Sequence, residues 1–561
     1  MKLKGTEILL KTLKSEGVDT IFGYPGGVVL DLYDDLIRTD IRHILVRHEQ
    51  GAIHAADAYA RASGKVGVCL VTSGPGATNT VTGIASAYMD SIPVVVITGQ
   101  VPTPLIGNDA FQEVDIVGIT RPCTKHNYLV KYTEDLAETV KEAFYIAKSG
   151  RPGPVLIDLP KDVGNKTITY NAPREAKLKS YNPTYKPNMK QLHKVVELIK
   201  TAKKPILFAG GGVILSGASA ELKKLAKKTK IPVTTSLMGL GAFPGTDPLW
   251  LGMIGMHGTY RANMSTGDCD LILAVGVRFD DRVTGKINTF APQSKIVHID
   301  IDPTSIRKNI PVTVPVVGDC KISLKHLNRL IEEVNLRDII KKRKKWADQI
   351  DLWKNTKPLA YDQKDIIKPQ YVVEKLYDLT EGKAIVTTEV GQNQMWAAQY
   401  YHFDRPGHFI TSGGLGCMGF GLPAAIGAQI ACPDKLVVDI AGDGSIQMNI
   451  QEMATAVQYC LPIKIVILNN GYLGMVRQWQ ELFYKKQYAC TNLDHSPDFV
   501  KLAEAYGAVG LRATKPDEVE SVLSKGLFST DTVIMDFRIE REESVYPMVP
   551  AGTAITEMLL V

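Results

Sequence analysis

The chain has 561 residues, a length typical of three or four domains. It contains 45% hydrophobic and 22% charged residues, the composition of an ordinary globular protein with a large core. The formal net charge of +6 is too small for a chain of this length to indicate nucleic-acid binding, so no nucleic-acid partner is predicted.

The cysteines and the first residues bear on location. The eight cysteines are scattered without a C-x-x-C pair, which argues against a disulfide framework or a thiolate zinc site and predicts reduced thiols in the cytoplasm. Glu7 and Lys11 interrupt any apolar run near the start, so the pattern predicts a short amphipathic helix and not a signal peptide.

Three blocks alternate apolar, strand-like runs with helical stretches, which predicts α/β domains with parallel sheets. The predicted domains are residues 1–170, 189–340 and 369–545, followed by a tail at 546–561. Residues 171–188 and the charged stretch 341–368 are interpreted as a linker and as a solvated helix with linker. The predicted strands are 20–23, 66–72, 93–98, 154–159, 205–209, 271–275, 295–301, 384–388, 436–441, 463–468 and 532–537.

The first block carries three candidate site segments. A glycine turn that ends at Gly27 follows a strand, and a second glycine turn at residues 73–76 follows another strand and precedes a helix. Glu49 begins a helix of small residues. An acidic residue at a helix start is also favoured by the helix dipole alone, so a structural role for Glu49 stays open at this point.

The second block contains a glycine turn at 210–212 after a strand, the segment Gly-Met-His-Gly at 255–258, and a strand followed by acidic residues at 300 and 302.

The third block carries the strongest signal. Asp443 lies in a Gly-Asp-Gly-Ser turn after one apolar strand, and Asn470 follows the next apolar strand of the same βαβ unit. The carboxyl ends of parallel strands form the ligand-binding edge of such sheets. A carboxylate, an amide oxygen and a backbone carbonyl suit Mg²⁺, and the flanking glycines with a helix beginning near Ser445 suit a phosphate. Two ordinary βα turns are the alternative.

Other motifs are weaker. Residues 414–419 fit G-x-G-x-x-G, but the acidic residue 20 positions later, Asp434, precedes a strand, which argues against a dinucleotide fingerprint. Neither a Walker A sequence nor a zincin H-E-x-x-H occurs. The uncharged stretch 409–432 is long enough to span a membrane, but its glycines favour a loop that leads into a buried helix.

The Gly-Asp-Gly segment followed by Asn-Asn resembles the thiamine-diphosphate motif, and with the segments of the first block the resemblance covers nearly the whole chain. It implies three doubly wound parallel-sheet domains, of which the first binds the aminopyrimidine and the third the diphosphate. It implies a homodimer, or a dimer of dimers, with the active site between subunits. Glu49 matches the glutamate that activates the pyrimidine ring, Asp443, Asn470 and the carbonyl of Tyr472 match Mg²⁺ ligands, and Met418 matches an apolar wedge between the cofactor rings.

The segments 110–113, 151–154, 158–162, 255–258, 278–282 and 475–480 look like those of the acetohydroxyacid synthases. They imply decarboxylation of pyruvate and addition of the hydroxyethyl unit to a second pyruvate or to 2-ketobutyrate, the first common step of valine, leucine and isoleucine biosynthesis. They also imply FAD in the second domain without a net redox part, and a possible small regulatory subunit. The expected catalytic residues are Gly27, Glu49, Gln112 and Lys161, and the expected substrate contacts are Phe111, Arg282, Met475 and Trp479. The expected cofactor contacts are Gln392, Asn393, Gly416, Met418, Gly444 and Ser445 for thiamine diphosphate and Arg151, Gly211, Gly212, His257, Arg278, Asp300 and Asp319 for FAD.

Chemistry at these positions is consistent with that assignment. Arg282 offers a bidentate partner for a carboxylate, and Trp479 offers an apolar wall for the acceptor. Asn393 stands where the family often has His, and we expect an amide to donate to the diphosphate instead. An FAD-dependent pyruvate oxidase is the main alternative; a decarboxylase, a catalytically inactive subunit and a flavin-free central domain are others.

Overall fold

The computed structural model of the protein describes residues 1–172 and 178–560. These residues form three six-stranded parallel sheets with helices on both faces, which confirms the predicted doubly wound α/β architecture. Part of the predicted linker, residues 173–177, lies outside the described residues.

The first sheet has the strand order β3-β2-β4-β5-β7-β6, and β1 pairs with β8 in a separate antiparallel ribbon. Its strands are β1 (Lys2–Lys4), β2 (Thr20–Tyr24), β3 (Arg42–Leu45), β4 (Gly67–Val71), β5 (Val94–Gln100), β6 (His126–Leu129), β7 (Val155–Pro160) and β8 (Thr167–Thr169). Its helices are α1 (Gly5–Ser15), α2 (Leu30–Leu36), α3 (Glu49–Ser63), α4 (Pro75–Thr78), α5 (Val81–Asp90), α6 (Ile116–Thr120), α7 (Leu136–Lys148) and α8 (Lys161–Asn165).

The second sheet has the order β11-β10-β9-β12-β13-β14. In chain order this is 3-2-1-4-5-6, the arrangement of dinucleotide-binding sheets, whose ligand site lies between the first and fourth strands. The strands are β9 (Pro205–Ala209), β10 (Val233–Thr235), β11 (Trp250–Met253), β12 (Leu271–Val275), β13 (Lys295–Asp300) and β14 (Val314–Val317). The helices are α9 (Met189–Thr201), α10 (Gly211–Leu215), α11 (Ser219–Thr229), α12 (Tyr260–Asp268), α13 (Asp281–Thr284), α14 (Cys320–Glu332), α15 (Arg337–Lys342) and α16 (Lys344–Thr356).

The third sheet has the order β16-β15-β17-β18-β20-β19, which in chain order matches the first sheet. Its strands are β15 (Ile385–Thr388), β16 (Phe409–Ile410), β17 (Val437–Gly442), β18 (Lys464–Asn469), β19 (Val509–Ala513) and β20 (Val533–Arg538). Its helices are α17 (Pro369–Thr380), α18 (Gln392–Tyr400), α19 (Gly421–Ala431), α20 (Met453–Gln458), α21 (Gly474–Phe483), α22 (Phe499–Ala505) and α23 (Val519–Phe528).

The first and third sheets are joined by α3 against α19. Both helices are rich in alanine and glycine, and a methyl group at Gly427 would overlap the carbonyl oxygen of Ala55. The small residues therefore let the two backbones touch, and a single apolar core runs from one sheet to the other. This packing fixes the carboxyl edges of the two sheets relative to each other.

Two helical predictions need correction. The helix expected to begin near Ser445 starts as a 3₁₀ helix, Ile446–Glu452, that is broken at Asn449 (φ −134°), and α-helical geometry begins only at Met453. Arg343 lies in the charged stretch that the sequence predicts to be solvated, but it is buried. Its guanidinium donates to the carbonyl oxygens of Ile199, Ala202 and Thr229 at the ends of α9 and α11, which compensates the burial of its charge.

The uncharged stretch 409–432 forms the glycine loop and the buried helix α19 that the sequence predicts. Within residues 1–172 and 178–560, no helix combines the length and the apolar character that crossing a membrane requires.

The C-terminal tail crosses from the third sheet to the second. The amide of Val549 donates to the carbonyl of Met256 at 2.8 Å, and the amide of Lys286 donates to the carbonyl of Thr553 at 2.9 Å. Gln478 holds the beginning of the tail through two hydrogen bonds with the backbone of Val545. The tail thereby covers the boundary between the two units.

Candidate active site

The first sheet brings two glycine turns together at the point where its strand order reverses, between β2 and β4. A methyl group at Gly26 would lie 2.5 Å from Cβ of Thr72, and one at Gly76 would lie 2.7 Å from Cγ2 of the same threonine. Gly27, the next residue of the first turn, faces open space. The position is the ligand-binding edge of an open α/β sheet.

Glu49 lies beside these turns as the first residue of α3. The helix starts there because the side chain of His48 accepts a hydrogen bond from the amide of Gln50 at 3.1 Å and so caps the first turn. The Glu49 carboxylate accepts a hydrogen bond from the side chain of Asn79 at 3.0 Å. It also lies 3.3 Å from where a methyl group at Gly76 would stand. The half-buried carboxylate thus faces the second glycine turn.

Gln112 comes to the same place from the loop between β5 and α6. Its backbone has φ 59°, a left-handed conformation that is unfavourable for a residue with a side chain, and it lies against Gly74. Phe111 is 88% exposed. Lys161 begins α8 directly after β7, and among the described residues its side chain makes no hydrogen bond to another candidate site residue.

The third sheet places Asp443 and Asn470 after the neighbouring strands β17 and β18. Asp443 Oδ1 accepts a hydrogen bond from the amide of Asn470 at 3.3 Å, and Oδ2 is buried without a partner among the described residues. Burial raises the pKa of Asp443 to about 7. A buried carboxylate oxygen of this kind is stabilised by a cation, so the pair fits a Mg²⁺ ion.

Gln392 orients the Asn470 side chain. Its Oε1 accepts a hydrogen bond from Asn470 Nδ2 at 3.1 Å, and its Nε2 donates to Gln478 Oε1 at 2.9 Å and to the carbonyl of Glu543 at 3.0 Å. Because the amide nitrogen of Asn470 is held in this way, Asn470 Oδ1 is the side-chain atom that can bind a metal ion.

Asn393 does not have the geometry expected from the sequence. Its Nδ2 donates to the main-chain carbonyls of Glu389 (3.1 Å) and Ile440 (2.8 Å), and its Oδ1 faces Gly391 and Gly442. Both amide hydrogens are therefore used within the protein, and no donor points toward the turn at Gly442. Ser445 closes that turn through hydrogen bonds with the backbone of Gly442, both at 3.2 Å.

Tyr472 is held by two cations. Its ring centroid lies 5.3 Å from the guanidinium of Arg477 and 4.5 Å from that of Arg541. Its amide donates to Asn470 Oδ1 at 3.1 Å. These contacts and this hydrogen bond hold Tyr472 beside the candidate metal ligand Asn470.

The loop that carries Gly416 and Met418 is anchored to the first sheet. The amides of Gly413 and Gly414 donate to Asp90 at 3.2 and 2.7 Å, and Asp90 is paired with the buried Arg61 of α3. Met418 is half-buried at the end of this loop.

Three of the four candidate substrate residues, Arg282, Met475 and Trp479, lie between the second and third sheets, whereas Phe111 belongs to the first unit. The Arg282 guanidinium lies 5.8 Å from the ring centroid of Trp479, and Met475 precedes Trp479 by one turn of α21. A cavity of about 80 Å³ beside Arg282 is lined by Met256 and by tail residues from Val549 to Ile555. The tail therefore forms one wall of this cavity.

The candidate FAD residues lie at the carboxyl edge of the second sheet. Gly211 and Gly212 follow β9 at the switch point of the sheet. Gly212 approaches Gly276 after β12, whereas a methyl group at Gly211 would contact Met238. Arg151 pairs with Asp302 at 3.4 Å, and burial raises the pKa of the nearby Asp300 to about 7.

Three other candidate FAD residues have partners of their own. Asp319 caps α14 through the amide of Ile322 at 2.8 Å, and a methyl group at Gly414 would lie 3.1 Å from Arg278 Nη2. The ring of His257 lies 3.3 Å from the carbonyl of Pro547, and burial lowers its pKa to about 4.

The structure thus forms one group around Glu49, Gly27 and Gln112 and another around Asp443, Asn470 and Tyr472. No hydrogen bond among the described residues joins Glu49 directly to the second group. The sequence did not single out Asn79 or Gln478, because only their hydrogen-bond partners in the folded chain connect them with the site.

Comparisons with known proteins identify the family of the chain. Three family models match: the thiamine pyrophosphate enzyme N-terminal TPP binding domain over residues 3–119, the central domain over 192–327, and the C-terminal TPP binding domain over 389–537. The acetolactate synthase large subunit of Haemophilus influenzae is 51% identical over 564 residues, covering 100% of this chain and 98% of the relative.

Two further relatives are similar over their full length. The acetolactate synthase isozyme 3 large subunit of Escherichia coli is 51% identical with the same coverage. A probable acetolactate synthase large subunit of Methanocaldococcus jannaschii is 49% identical, covering 99% of this chain and 95% of the relative.

Proposed function

We propose that this chain, which belongs to the thiamine pyrophosphate enzymes and within them to the acetolactate synthase large subunits, decarboxylates pyruvate and joins the resulting two-carbon unit to a second 2-keto acid. The products are 2-acetolactate from pyruvate and 2-aceto-2-hydroxybutyrate from 2-ketobutyrate, which lead to the branched-chain amino acids. The observation that carries the proposal is the unpartnered carboxylate oxygen of Asp443 beside the oriented amide of Asn470.

The residues around Asp443 fit a magnesium–diphosphate group. Asp443 and Asn470 would supply side-chain oxygens and Tyr472 its carbonyl, while the turn of Gly444 and Ser445 would face the phosphates. When bound, thiamine pyrophosphate supplies the carbon nucleophile and the electron sink that decarboxylation of a 2-keto acid requires. Gln392 acts indirectly, by fixing the Asn470 amide.

Glu49 would hydrogen-bond the pyrimidine ring and hold the proton that moves there during activation. Asn79 orients its carboxylate. The open Gly27 amide and the Gln112 side chain would face the substrate carbonyl, where donors stabilise developing negative charge. Met418 would support the cofactor rings, and Lys161 would lie near the substrate entry.

Arg282 would bind the carboxylate of the substrate, and Trp479 and Met475 would form the apolar wall for the acceptor side chain. Arg282 suits this role because its side chain is 58% exposed, with one neighbouring carboxylate at 3.7 Å that does not saturate its donors.

The second sheet would bind FAD. Its 3-2-1-4-5-6 strand order and the close approach of Gly212 to Gly276 support a dinucleotide at that edge, where Gly211 also lies. Arg151, Arg278 and the acidic residues Asp300 and Asp319 would surround it, with His257 nearby.

We also propose the division into domains 1–170, 189–340 and 369–545 with a tail at 546–561, and a homodimer or dimer of dimers with the active site between subunits. The exposure of Phe111 (88%), Leu30 (57%) and Met448 (55%) near the candidate site segments supports a partner surface. A small regulatory subunit and a cytoplasmic location also stay predictions.

Product analysis tests the proposed activity. The protein is incubated in air with pyruvate, thiamine pyrophosphate, Mg²⁺ and FAD, and acetolactate, acetaldehyde, acetate and peroxide are quantified. We expect acetolactate with negligible peroxide. Acetate with stoichiometric oxygen uptake would instead identify a pyruvate oxidase and would contradict the roles given to Arg282 and Trp479.

A further inference from the structure

Glu452 is a buried carboxylate that crosses from the third unit to the first. It is the last residue of the 3₁₀ helix Ile446–Glu452 and is 0% exposed. Its Oε1 accepts hydrogen bonds from the backbone amides of His48 at 2.9 Å and of Arg47 at 3.0 Å, and its Oε2 accepts one from the hydroxyl of Thr455 at 2.6 Å. Both oxygens therefore have donors.

The same carboxylate also lies against the first turn of α3. A methyl group at Gly51 would stand 2.6 Å from Oε1 and 2.7 Å from Cδ of Glu452. Glu452 thus contacts the chain before Glu49, through residues 47 and 48, and after it, at residue 51. A carboxylate at the amino end of a 15-residue helix is also favoured by the free amides and the dipole of the helix.

Among residues 1–172 and 178–560, no cationic side chain donates a hydrogen bond to the Glu452 carboxylate. The guanidinium of Arg47 turns away and donates to Gln458 Oε1 at 2.6 Å and to the carbonyl of Leu45 at 3.1 Å. Burial raises the pKa of Glu452, and the hydrogen bonds from Thr455, Arg47 and His48 oppose that shift. A buried acid held by amide donors and a hydroxyl fixes the direction of those donors more strictly than a solvated ion pair would.

We propose that Glu452 is a positioning residue for Glu49: it holds the backbone on both sides of Glu49 and so sets the direction in which that carboxylate leaves α3. The inference rests on the proposed function, because Glu49 acts there on the pyrimidine ring. Glu452 comes nine positions after Asp443, so one short segment connects the candidate metal ligand to the start of α3.

Two substitutions perturb this contact from opposite sides. Glu452→Gln keeps the size of the side chain but places an amide donor against the donors from the backbone or from Thr455. Gly51→Ala leaves Glu452 intact and displaces its carboxylate, since the added methyl group has no room. Gly164→Ala is the matched control, because a methyl group there has its nearest neighbour at 3.5 Å, an ordinary contact.

The first measurement uses the full chain without cofactors. Backbone amide hydrogen exchange of a peptide covering residues 47–52 is followed by mass spectrometry, and we expect it to quicken in both variants and to be unchanged in the control. The second measures exchange of the thiazolium C2 proton of bound thiamine pyrophosphate by acid quench and NMR. We expect that rate to fall about 10- to 100-fold, because a small misplacement of a catalytic group has effects of this size.

The dissociation constant of thiamine pyrophosphate with Mg²⁺ should change little, because Glu452 does not face the metal ligands. A merely structural role for Glu452 would lower the melting temperature while leaving C2 exchange at the wild-type rate, and that result would overturn the inference. If Glu452→Gln does not fold, Gly51→Ala decides the question.

Glu49→Gln is the reference variant that separates a failure of the proposed function from a failure of the role given to Glu452. If it leaves C2 exchange unchanged, the proposed function fails at Glu49. If it slows C2 exchange while Glu452→Gln and Gly51→Ala do not, the role of Glu452 alone is refuted.

Discussion

Replacing Gln392 by methionine tests whether a residue outside the metal ligand set decides the affinity for Mg²⁺. The substitution keeps the length of the side chain and removes the oxygen that accepts a hydrogen bond from Asn470 Nδ2 at 3.1 Å. The Asn470 amide is then free to turn its nitrogen toward the ion. Loss of such a supporting hydrogen bond typically costs about 10- to 100-fold in metal affinity, roughly 1.4–2.7 kcal/mol.

The matched control is Gln399→Met in the same helix. Gln399 is also buried, and its Nε2 donates to the carbonyls of His257 and Tyr546 at 3.0 and 3.2 Å. Each substitution therefore removes the two hydrogen bonds that the side-chain Nε2 donates. We expect the two variants to lose similar amounts of unfolding free energy. Only Gln392→Met also releases Asn470, so only this variant should bind Mg²⁺ more weakly.

The assay titrates the apoprotein with Mg²⁺ at saturating thiamine pyrophosphate and follows tryptophan fluorescence, since Trp396 lies one turn from Gln392 on α18. Equal Mg²⁺ dissociation constants for the two variants would refute the reasoning. A melting scan of each variant identifies any difference that comes from unfolding alone.

Three further outcomes follow from the structure. Glu49→Gln should lower kcat at least about 100-fold with little change in cofactor affinity, as measured by steady-state kinetics and cofactor titration; unchanged turnover would remove Glu49 from the mechanism. Burial raises the pKa of Asp158 to about 7, so the folded state retains a proton that the unfolded chain releases between about pH 4 and pH 7, and stability falls as the pH rises through that range. Urea unfolding at pH 5 and pH 8 covers about two of these pH units, so it should show a loss of roughly 3 kcal/mol in the wild type and a smaller loss in Asp158→Asn. Arg343→Ala should lower the unfolding free energy by about 3 kcal/mol by leaving helix-end carbonyls unpaired, whereas Lys344→Ala, at an exposed position, should leave it nearly unchanged.

The strands predicted from the sequence are confirmed where they lie inside a sheet. Runs such as β9 and β12 are apolar along their whole length because parallel strands are buried on both faces. The strands that were missed lie mainly at or next to sheet edges, for example β6 (His126–Leu129) and β10 (Val233–Thr235). These two strands are short and carry polar residues, so that no apolar run distinguishes them from loops.

The residues of the candidate site also divide into those that the sequence predicts and those that only the structure shows. Asp443 and Asn470 could be placed together from the sequence because each directly follows an apolar strand. The two strands of a βαβ unit are parallel, so their carboxyl ends lie at the same edge of the sheet. Glu452 and Gln478 have no such local signal. Each is a polar residue inside a helical segment. Its role is recognised only from its complete burial between parts of the chain that are far apart in the sequence. The two amide hydrogens of Asn393 likewise go to carbonyls that only the folded chain brings near.

The first and third sheets have the same strand order, so what each can bind depends on a few residues after equivalent strands. After β17 and β18 the chain presents Asp443 and Asn470, whereas after the equivalent strands β4 and β5 it presents the turn at 73–76 and the segment that follows Gln100. The first sheet has no unpartnered buried carboxylate at that edge among the described residues. We therefore expect a magnesium–diphosphate group to bind at the third sheet, while the first offers open glycine backbone and Glu49. This asymmetry supports the proposed division, in which the charged end of the cofactor and its uncharged ring are bound by two copies of one architecture.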